Sequence, residues 1–305
     1  MIALPHEEPG RSPGVHPAHR GSIFLEDGSV VAHETWPGDQ YVLRLQAPKC
    51  AERALPGSFV HLTCDPDVPM RRPLSIQRVN ATEGWIEILY KIVGPGLRSL
   101  SKRRVGDTMS VLGPIGQPFR PDPARPRSLL VGGGVGIPPM VFLAEWMSVR
   151  GGPWKPLVLM GSEIPFPFKT RPSTILVPGI PAGAIAAMPL LDGWGVPSRL
   201  ASKAGFAGCY DGFVTGLADE WLGSLDARAK AEVEVFSCGP TPMLEAVARV
   251  AVKHGVPCQV SLEEFMACAV GGCAGCTVKV ATPEGPAMKR VCVDGPVFDS
   301  RAVFS

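Results

Sequence analysis

The sequence contains no long run of basic residues. It has 30 lysine and arginine residues against 28 aspartate and glutamate residues, so its formal net charge is only +2. The tight basic groups are short, at Arg71-Arg72 and at 102–104. Because a protein that follows a nucleic-acid backbone needs an extended basic surface, we expect no nucleic-acid partner.

The sequence also lacks an uninterrupted apolar run of about eighteen residues, which a membrane-spanning helix would require. The nearest candidate, at 175–191, is interrupted by prolines. The amino terminus shows no basic start followed by an apolar core, as a secretory signal would. We therefore expect a soluble protein of the reducing cytoplasm, with no membrane partner and no need of disulfides.

No nucleophile paired with a base and no pair of acids stands out, so we expect no catalytic side chain and assign the chemistry to cofactors. Four cysteines support this view. Cys268, Cys273 and Cys276 are spaced C-x4-C-x2-C, and Cys292 follows them. Four soft ligands in this order are typical of a plant-type [2Fe-2S] site, and the glycines between them suit a loop folded around a cluster.

Zinc and disulfides are the competing explanations of these cysteines. Structural zinc usually takes two short-spaced pairs of ligands, whereas here a single thiol precedes one C-x2-C and another single thiol follows it. Disulfides are typical of small secreted domains, which this chain does not resemble. The spacing therefore favours a cluster. The remaining cysteines are too widely spread to form a second site.

The pattern of apolar residues divides the chain into several parts. Its 305 residues, 45% of them hydrophobic, should form about two or three domains. We expect a flexible tail at 1–18 and, at 19–122, six short alternating runs that predict an antiparallel barrel. Apolar runs alternate with helix-length segments at 123–257, which predicts a parallel α/β domain, and 258–305 would form a small cluster lobe.

Two glycine-containing turns are expected at the carboxyl ends of strands in the α/β domain. Their residues are Gly133, Gly134 and Gly136 in the first turn and Cys238, Gly239 and Pro240 in the second. Glycine lets the main chain approach a pyrophosphate, and two such turns on one sheet favour a bound dinucleotide. Alternatives stay open, because a glycine-rich turn can follow any first strand and Cys238 can be a small packed residue. Thr241 is the expected N-cap of the next helix.

Glu163 follows the expected strand that ends in "VLMGSE". A carboxylate there can accept hydrogen bonds from ribose hydroxyls and repel a 2'-phosphate, so we expect NADH rather than NADPH. The stretch at 163–210 is rich in proline and glycine, although it includes an expected strand at 173–179. It is either a docking surface, a cover over the nucleotide or an irregular surface excursion.

In the expected barrel, "RRPLSI" and "LYKIVGPGLRSL" combine a cation, a hydroxyl and a glycine-opened turn, with one short helix expected at 96–104. These groups suit a diphosphate with an isoalloxazine beside it. Neither segment is specific by itself, because Arg72 can be a surface arginine and Tyr90 a half-buried strand residue.

Taken together, these modules resemble the ferredoxin-reductase superfamily, and within it the electron transfer subunits of two-subunit dihydroorotate dehydrogenases. The resemblance covers about residues 20–300 and depends on "RRPLSI", "GPIG", "VGGGVGIPPM", "CGPTPML", "MACAVGGCAGC" and "KRVCVDGPVF". It implies FAD on the barrel, NADH on the α/β domain and a [2Fe-2S] cluster on the last lobe. The residues that it places at FAD are Arg72, Pro73, Leu74, Ser75, Leu89, Tyr90, Lys91, Gly96 and Leu97, and its cluster ligands are Cys268, Cys273, Cys276 and Cys292.

By the same resemblance, electrons would pass from NADH through FAD and the cluster to a flavin in a partner subunit. That partner would be an FMN-containing dihydroorotate dehydrogenase of pyrimidine biosynthesis, and the assembly a hetero-oligomer. Two alternatives stay open. One is the reductase component of another oxidoreductase or oxygenase complex, although the segment after Ser261 is short for a complete ferredoxin domain. The other is a non-redox interaction module that binds zinc. Leu97 departs from the family, which usually has Thr there, so main-chain N–H groups would have to serve in place of a hydroxyl contact to the diphosphate.

Overall fold

The computed structural model describes residues 22–304, and the tail expected at 1–18 lies outside them. Six antiparallel strands close into a barrel in the order β1-β2-β5-β4-β3-β6. They are β1 (Phe24–Trp36), β2 (Gln40–Gln46), β3 (Phe59–Leu62), β4 (Arg72–Asn80), β5 (Trp85–Lys91) and β6 (Thr108–Ile115). The six-stranded barrel predicted from the alternating runs is confirmed.

Alternate residues of these strands fill the barrel, because successive side chains of a strand point to opposite faces. Leu43, Ile76 and Ile88 are fully buried there. Two short helices accompany the strands, α1 (Pro48–Arg53) and α2 (Gly94–Leu100). The helix predicted at 96–104 thus begins and ends earlier than expected, and α1 was not predicted.

A seven-stranded sheet follows, in the order β12-β11-β8-β7-β13-β14-β17. The remaining strands are β7 (Arg127–Gly133), β8 (Lys155–Gly161), β9 (Arg171–Pro172), β10 (Ala186–Ala187), β11 (Ser198–Ser202), β12 (Tyr210–Asp211), β13 (Val233–Cys238), β14 (Cys258–Ser261), β15 (Thr277–Thr282), β16 (Gly285–Arg290) and β17 (Val297–Asp299). The remaining helices are α3 (Ile137–Arg150), α4 (Pro189–Gly193), α5 (Val214–Ser224), α6 (Ala227–Ala231), α7 (Thr241–His254) and α8 (Ser300–Val303). The first six strands of this order are parallel, and β17 pairs antiparallel with β14.

The strand predicted at 173–179 was wrong. That segment is irregular, and Leu176 is 93% exposed. The sheet instead takes β11, whose five residues are all buried although three of them are polar. Most of these polar groups bond with the main chain, although the buried Arg199 Nε has no partner. Arg199 donates to the carbonyl of Ile175 at 2.7 Å, and the Ser198 hydroxyl accepts from the Met188 N–H at 3.0 Å.

The cluster lobe is continuous with this sheet. Strands β14 and β17 extend it, while β15 and β16 form a separate hairpin. The barrel is joined to both parts, since Arg78 forms an ion pair of 2.7 Å with Glu145 of α3 and the Gln117 N–H donates to the carbonyl of Gly295 at 2.6 Å. The domain boundary expected at 257/258 stays a prediction. Between residues 22 and 304, no helix combines the length and the apolar character needed to cross a bilayer.

Candidate cofactor-binding sites

The two predicted glycine turns meet at one edge of the parallel sheet. Strands β7 and β13 are parallel neighbours, with Gly132 opposite Cys238. A Cβ on Gly136 would overlap the main chain of Cys238 and Gly239. Only glycine therefore fits at 136, and the two turns form one continuous main-chain surface at the end of the sheet where dinucleotides usually bind.

The other residues predicted for NADH lie at the same edge. Strand β8 pairs with β7 so that Gly161 is opposite Gly133, and Glu163 follows as an exposed residue. Gly134 has a φ of +54°, which favours glycine. The structure thus brings together Gly133, Gly134, Gly136, Glu163, Gly239 and Pro240. Their contact with NADH stays a prediction.

In the second turn, Cys238 and Thr241 differ from the roles expected of them. The Cys238 side chain is 1% exposed and packs in the sheet core with Phe236 and Met140. Burial, and next the charge of Glu263, raises the pKa of this thiol. The structure therefore favours the packed residue over a thiol facing nicotinamide. Thr241 is not the N-cap of α7, because Pro240 occupies that position and no side chain caps the helix.

Glu263 is a residue at this edge that sequence reasoning missed. It follows β14, which pairs with β13 so that Ser261 is opposite Cys238. Burial raises the pKa of Glu263, yet its side chain is exposed to solvent. Its charge acts on the Cys238 thiol, so the carboxyl lies close to the second turn. A single glutamate in "LEEFMAC" carries no spacing signal that would have identified it.

The barrel motif "RPLS" forms the first part of β4 and presents its side chains to two faces. Leu74 packs in the barrel core, whereas Pro73 and Ser75 are half-buried on the outside. On the neighbouring β5, Leu89 and Lys91 alternate with core residues and share that outer face. The predicted flavin residues with outward side chains therefore form one surface across two strands.

Arg72 meets the first turn of α2. A Cβ on Gly96 would come within 2.8 Å of the Arg72 Nε, so the guanidinium lies directly against this glycine. The same guanidinium donates through Nη1 to the carbonyl of Met70 at 2.6 Å, which fixes its position. A fixed cation beside a turn without side chains suits a diphosphate. The two residues are 24 positions apart in sequence, and the fold joins them as predicted.

Tyr90 and Leu97, by contrast, turn into the barrel core. Tyr90 is 1% exposed, stacks on Tyr41 with ring centroids 5.3 Å apart, and shares a hydrogen bond of 2.8 Å with His33 Nε2. Leu97 is 8% exposed in the same core. Both side chains are surrounded by other protein side chains, so any contact with FAD would come from their main chain. For Tyr90, the alternative of a strand-filling residue describes the side chain correctly.

The predicted cluster ligands form two pairs. The Cys268 thiol interacts with the Cys273 side chain, and Cys292 interacts with the Cys276 side chain. The charge of Cys268 also acts on Cys292, which places both pairs at one site. Because a [2Fe-2S] cluster holds two irons and this type takes four cysteine ligands, one pair of thiols can serve each iron.

Both explanations of these cysteines need the four thiols at one site. Zinc would place all four around a single centre, whereas a [2Fe-2S] cluster spreads them over two irons. Within residues 22–304, no three His, Cys, Asp or Glu side chains form a group around one ion. The pairing of the thiols is compatible with a two-iron cluster.

Main-chain N–H groups lie against the sulfurs of Cys268 and Cys273, and they favour the thiolate of Cys268. The Cys273 N–H donates to the Cys268 sulfur and the Gly275 N–H donates to the Cys273 sulfur, each at 3.4 Å. Burial raises the pKa of Cys268, but N–H groups of the loop outweigh it and lower the pKa to about 7. Burial and then Cys276 raise the pKa of Cys292 to about 12. Cys292 thus needs a metal to become a thiolate at neutral pH.

The loop backbone is strained where it passes these sulfurs. Ala269 and Ala274 have φ values of +56° and +53°, and each follows a predicted ligand. Residues other than glycine rarely adopt this conformation, and it is common where a loop is shaped by a ligand. Sequence reasoning had expected only the glycines to do so.

Comparison with known proteins agrees with this geometry. Residues 263–304 match the family described as the iron-sulfur cluster binding domain of dihydroorotate dehydrogenase B. The electron transfer subunit of dihydroorotate dehydrogenase B (NAD(+)) from Caldanaerobacter subterraneus subsp. tengcongensis is 35% identical, over 82% of this chain and 87% of that protein. The corresponding subunit from Geobacillus sp. (strain WCH70) is 33% identical, over 91% of this chain and 98% of that protein.

Solved structures show the same fold. A structure of an NADH-dependent reduced ferredoxin-NADP oxidoreductase, determined to study flavin-based electron bifurcation, has a TM-score of 0.70 and 26% identity and covers 90% of this chain and 89% of that chain. The ferredoxin reductase in carbazole 1,9a-dioxygenase has a TM-score of 0.59 and 23% identity, over 77% of this chain and 67% of that chain.

The barrel, the parallel sheet and the four paired thiols together define a ferredoxin-reductase-like oxidoreductase that carries an iron-sulfur lobe. Within that class the relatives are consistent in name and cover most of the chain. The chain belongs to the family of dihydroorotate dehydrogenase B electron transfer subunits.

Proposed function

We propose that this chain carries electrons from NADH, through FAD and a [2Fe-2S] cluster, to the flavin-containing catalytic subunit of a dihydroorotate dehydrogenase in pyrimidine biosynthesis. The observation that carries the proposal is the pairing of Cys268 with Cys273 and of Cys276 with Cys292. The names of the relatives support the same function. We also propose a cytoplasmic location, because all nine cysteines of the chain are free and the four ligands must stay reduced.

The residues at the sheet edge would bind and orient NADH. The main-chain surface at Gly136 and Gly239 would offer N–H groups to a pyrophosphate, beside the Met243 side chain, which packs against Gly133 and Gly239. Glu163 lies where a ribose hydroxyl can donate to its carboxylate. These contacts would fix the nicotinamide end of the ligand by holding the opposite end.

The outer face of β4 and β5 would hold FAD. Pro73 and Ser75 give this face apolar atoms and one hydroxyl above the buried Leu89, and Arg72 would supply the charge for the diphosphate. Bound FAD supplies the conversion of a hydride into single electrons, and a bound cluster supplies their one-electron transport. The domains proposed at 19–122, 123–257 and 258–305 would carry FAD, NADH and the cluster respectively.

The cluster loop would face the partner. Cys273 is exposed, whereas Cys276 and Cys292 are 3% and 1% exposed. The buried pair holds the site to the protein, and the exposed pair leaves one side of it open to another molecule. A catalytic subunit that covers this side would form a hetero-oligomer with the chain.

Co-expression with a candidate catalytic subunit, followed by purification, tests the proposal. We expect a yellow-brown complex that contains FAD, FMN, iron and sulfide and that reduces NAD(+) when dihydroorotate is added. The catalytic subunit purified alone is the control and should lose the reaction with NAD(+). A colourless chain that contains zinc would instead support the interaction module, and a complex that is reduced by NADH but inactive with dihydroorotate would support another oxidoreductase.

A further inference from the structure

His61 lies in the middle of β3 and is completely buried, with 0% of its surface exposed. Its neighbours Val60 and Leu62 belong to the barrel core. Because side chains alternate along a strand, His61 points to the outside of the barrel, as Phe59 does. The histidine is therefore covered by something other than the barrel itself.

Two functional segments flank this histidine. Strand β3 pairs with β4 so that His61 is opposite Pro73 and Phe59 is opposite Ser75, which puts the histidine next to the outer face proposed for FAD. Main-chain groups of Arg71 and Met266 face its ring. Arg71 precedes the flavin motif, and Met266 lies two residues before the ligand Cys268. His61 thus lies between the proposed flavin strand and the cluster loop.

The imidazole has no hydrogen bond in this position. Neither Nδ1 nor Nε2 has a partner, although both are buried. Burial and then the charge of Arg71 lower the pKa of His61 to about 4, so the ring is neutral and carries one N–H donor. A buried N–H donor without a partner destabilises the fold. If the ring gained no contact in the cluster-loaded protein, an apolar side chain would be more stable at this position.

Main-chain groups of Arg71 and Met266 are both within reach of the ring, and of the two only Met266 belongs to the cluster loop. The Met266 main chain stabilises the protonated ring, as expected of a carbonyl that faces an imidazole. The geometry nevertheless falls short of a hydrogen bond. Met266 belongs to the strained loop that carries Ala269, and such a loop adjusts when its ligand binds.

We propose that His61 is a positioning residue, whose N–H donates to the Met266 carbonyl in the cluster-loaded protein and holds the cluster loop against the flavin-binding strand. The inference depends on the proposed function, because it assumes that FAD and the cluster occupy these two segments. It adds a residue that neither binds a metal nor touches NADH but sets the relation between the two redox sites.

The test replaces His61 in the full chain purified with FAD and cluster. His61→Leu removes both ring nitrogens and keeps an apolar side chain, whereas His61→Gln restores an N–H donor. We measure FAD and iron content, the electron paramagnetic resonance spectrum of the reduced cluster, and the rate of cluster reduction after anaerobic mixing with NADH. A neutral hydrogen bond contributes about a two- to tenfold factor to an equilibrium, so the reduction rate of His61→Leu should fall by about that factor.

We expect His61→Leu to retain FAD and iron, to change the resonance spectrum and to slow cluster reduction, and His61→Gln to recover part of both. His33→Leu is the matched control. It removes a barrel histidine that is bonded to the Arg103 carbonyl and to Tyr90 at 2.8 Å each, so it should lower thermal stability and leave the cluster spectrum unchanged.

An unchanged spectrum and reduction rate in His61→Leu would overturn the inference. Loss of the cluster from both His61 variants would also overturn it, because ring volume rather than the hydrogen bond would then matter. If the unaltered chain binds no FAD or no cluster, the proposed function itself fails and the inference with it. The two failures are therefore distinguishable in the same preparations.

Discussion

The nucleotide edge of the sheet and the cluster loop are built in opposite ways. At the edge, the main chain at Gly136 packs directly on Cys238 and Gly239, so the surface is fixed before a ligand binds. In the loop, Ala269 and Ala274 adopt left-handed conformations that the sequence does not favour. One site is shaped by packing of the protein, and the other requires its ligand to compensate the strain.

The loop is nevertheless attached at one end. Cys276, Cys292 and the adjacent Val291 are part of the same hydrophobic core as the sheet. Cys268 and Cys273 lie outside that core and are more exposed. The comparison therefore predicts that damage to the exposed pair should cost the cluster, whereas damage at the glycine edge should cost folding as well as binding.

The largest expected effect is that of Cys273→Ser. The variant removes one of the four thiolate ligands, so its cluster should be damaged while the barrel and the sheet stay folded. NADH should still bleach the bound flavin in a stopped-flow trace, and an artificial two-electron acceptor should still be reduced. Delivery of electrons to the catalytic subunit should collapse.

Cys209→Ser is the matched control for this variant, because Cys209 is a partly exposed cysteine outside the cluster loop. It should keep the cluster and full delivery. Association with the partner is measured separately, since loss of the metal can also unfold the lobe. Normal turnover with the partner in a chain that lacks the cluster would contradict the proposed route.

Arg72→Ala should have the next largest effect. A charge-assisted hydrogen bond contributes about 1.5 to 3 kcal/mol, so the affinity for FAD should fall by about ten- to a hundredfold. Flavin retained after dialysis, measured by absorbance, gives the result. Arg98→Ala is the control, since Arg98 is an exposed residue of the same helix as Gly96. Full flavin occupancy in Arg72→Ala would show that Arg72 does not contribute to FAD binding.

Gly136→Ala examines the other half of the comparison. The added methyl group overlaps main-chain atoms that have no room to move, and such overpacking typically costs about 1 to 3 kcal/mol in the free energy of unfolding. The midpoint temperature of thermal unfolding should fall, and the dissociation constant for NADH should rise. Gly183→Ala is the control, because a Cβ there has nothing within 4 Å. Equal stability of the two variants would show that the edge is less rigid than its packing indicates.

The same contrast explains which features could be predicted from the sequence. The cluster ligands and the glycine turns have short, regular spacings, so a local pattern is enough to find them. Strand β11 was missed because polar residues are unfavourable in a buried strand. The structure shows that Arg199 and Ser198 form hydrogen bonds with the main chain, which offsets this cost. The inward direction of Tyr90 and the partnerless ring of His61 depend on how distant strands pair, which no local pattern contains.

The smallest expected effect is on the choice of nucleotide. Glu163 is exposed after β8, and Lys203 follows the neighbouring β11, whose Ala201 is opposite Gly161. The Lys203 Nζ lies 4.8 Å from the ring centroid of Phe213, so a cation already occupies this edge. With Glu163 intact, its carboxylate repels a 2'-phosphate, and we expect NADH to be preferred.

Glu163→Gln removes this repulsion while Lys203 remains, and it should improve the use of NADPH relative to NADH. An interaction between exposed charges contributes about 0.2 to 1 kcal/mol, so the ratio of kcat/KM values for the two nucleotides should shift by about two- to fivefold. Reduction of an artificial acceptor by each nucleotide gives the ratio, with Glu245→Gln on α7 as a control that should not change it. Because an exposed pair is screened by salt, the shift should also shrink at high ionic strength. Comparable kcat/KM values for NADH and NADPH in the unaltered chain would show that Glu163 does not select the nucleotide, and the acidic residue to test next would be Glu263.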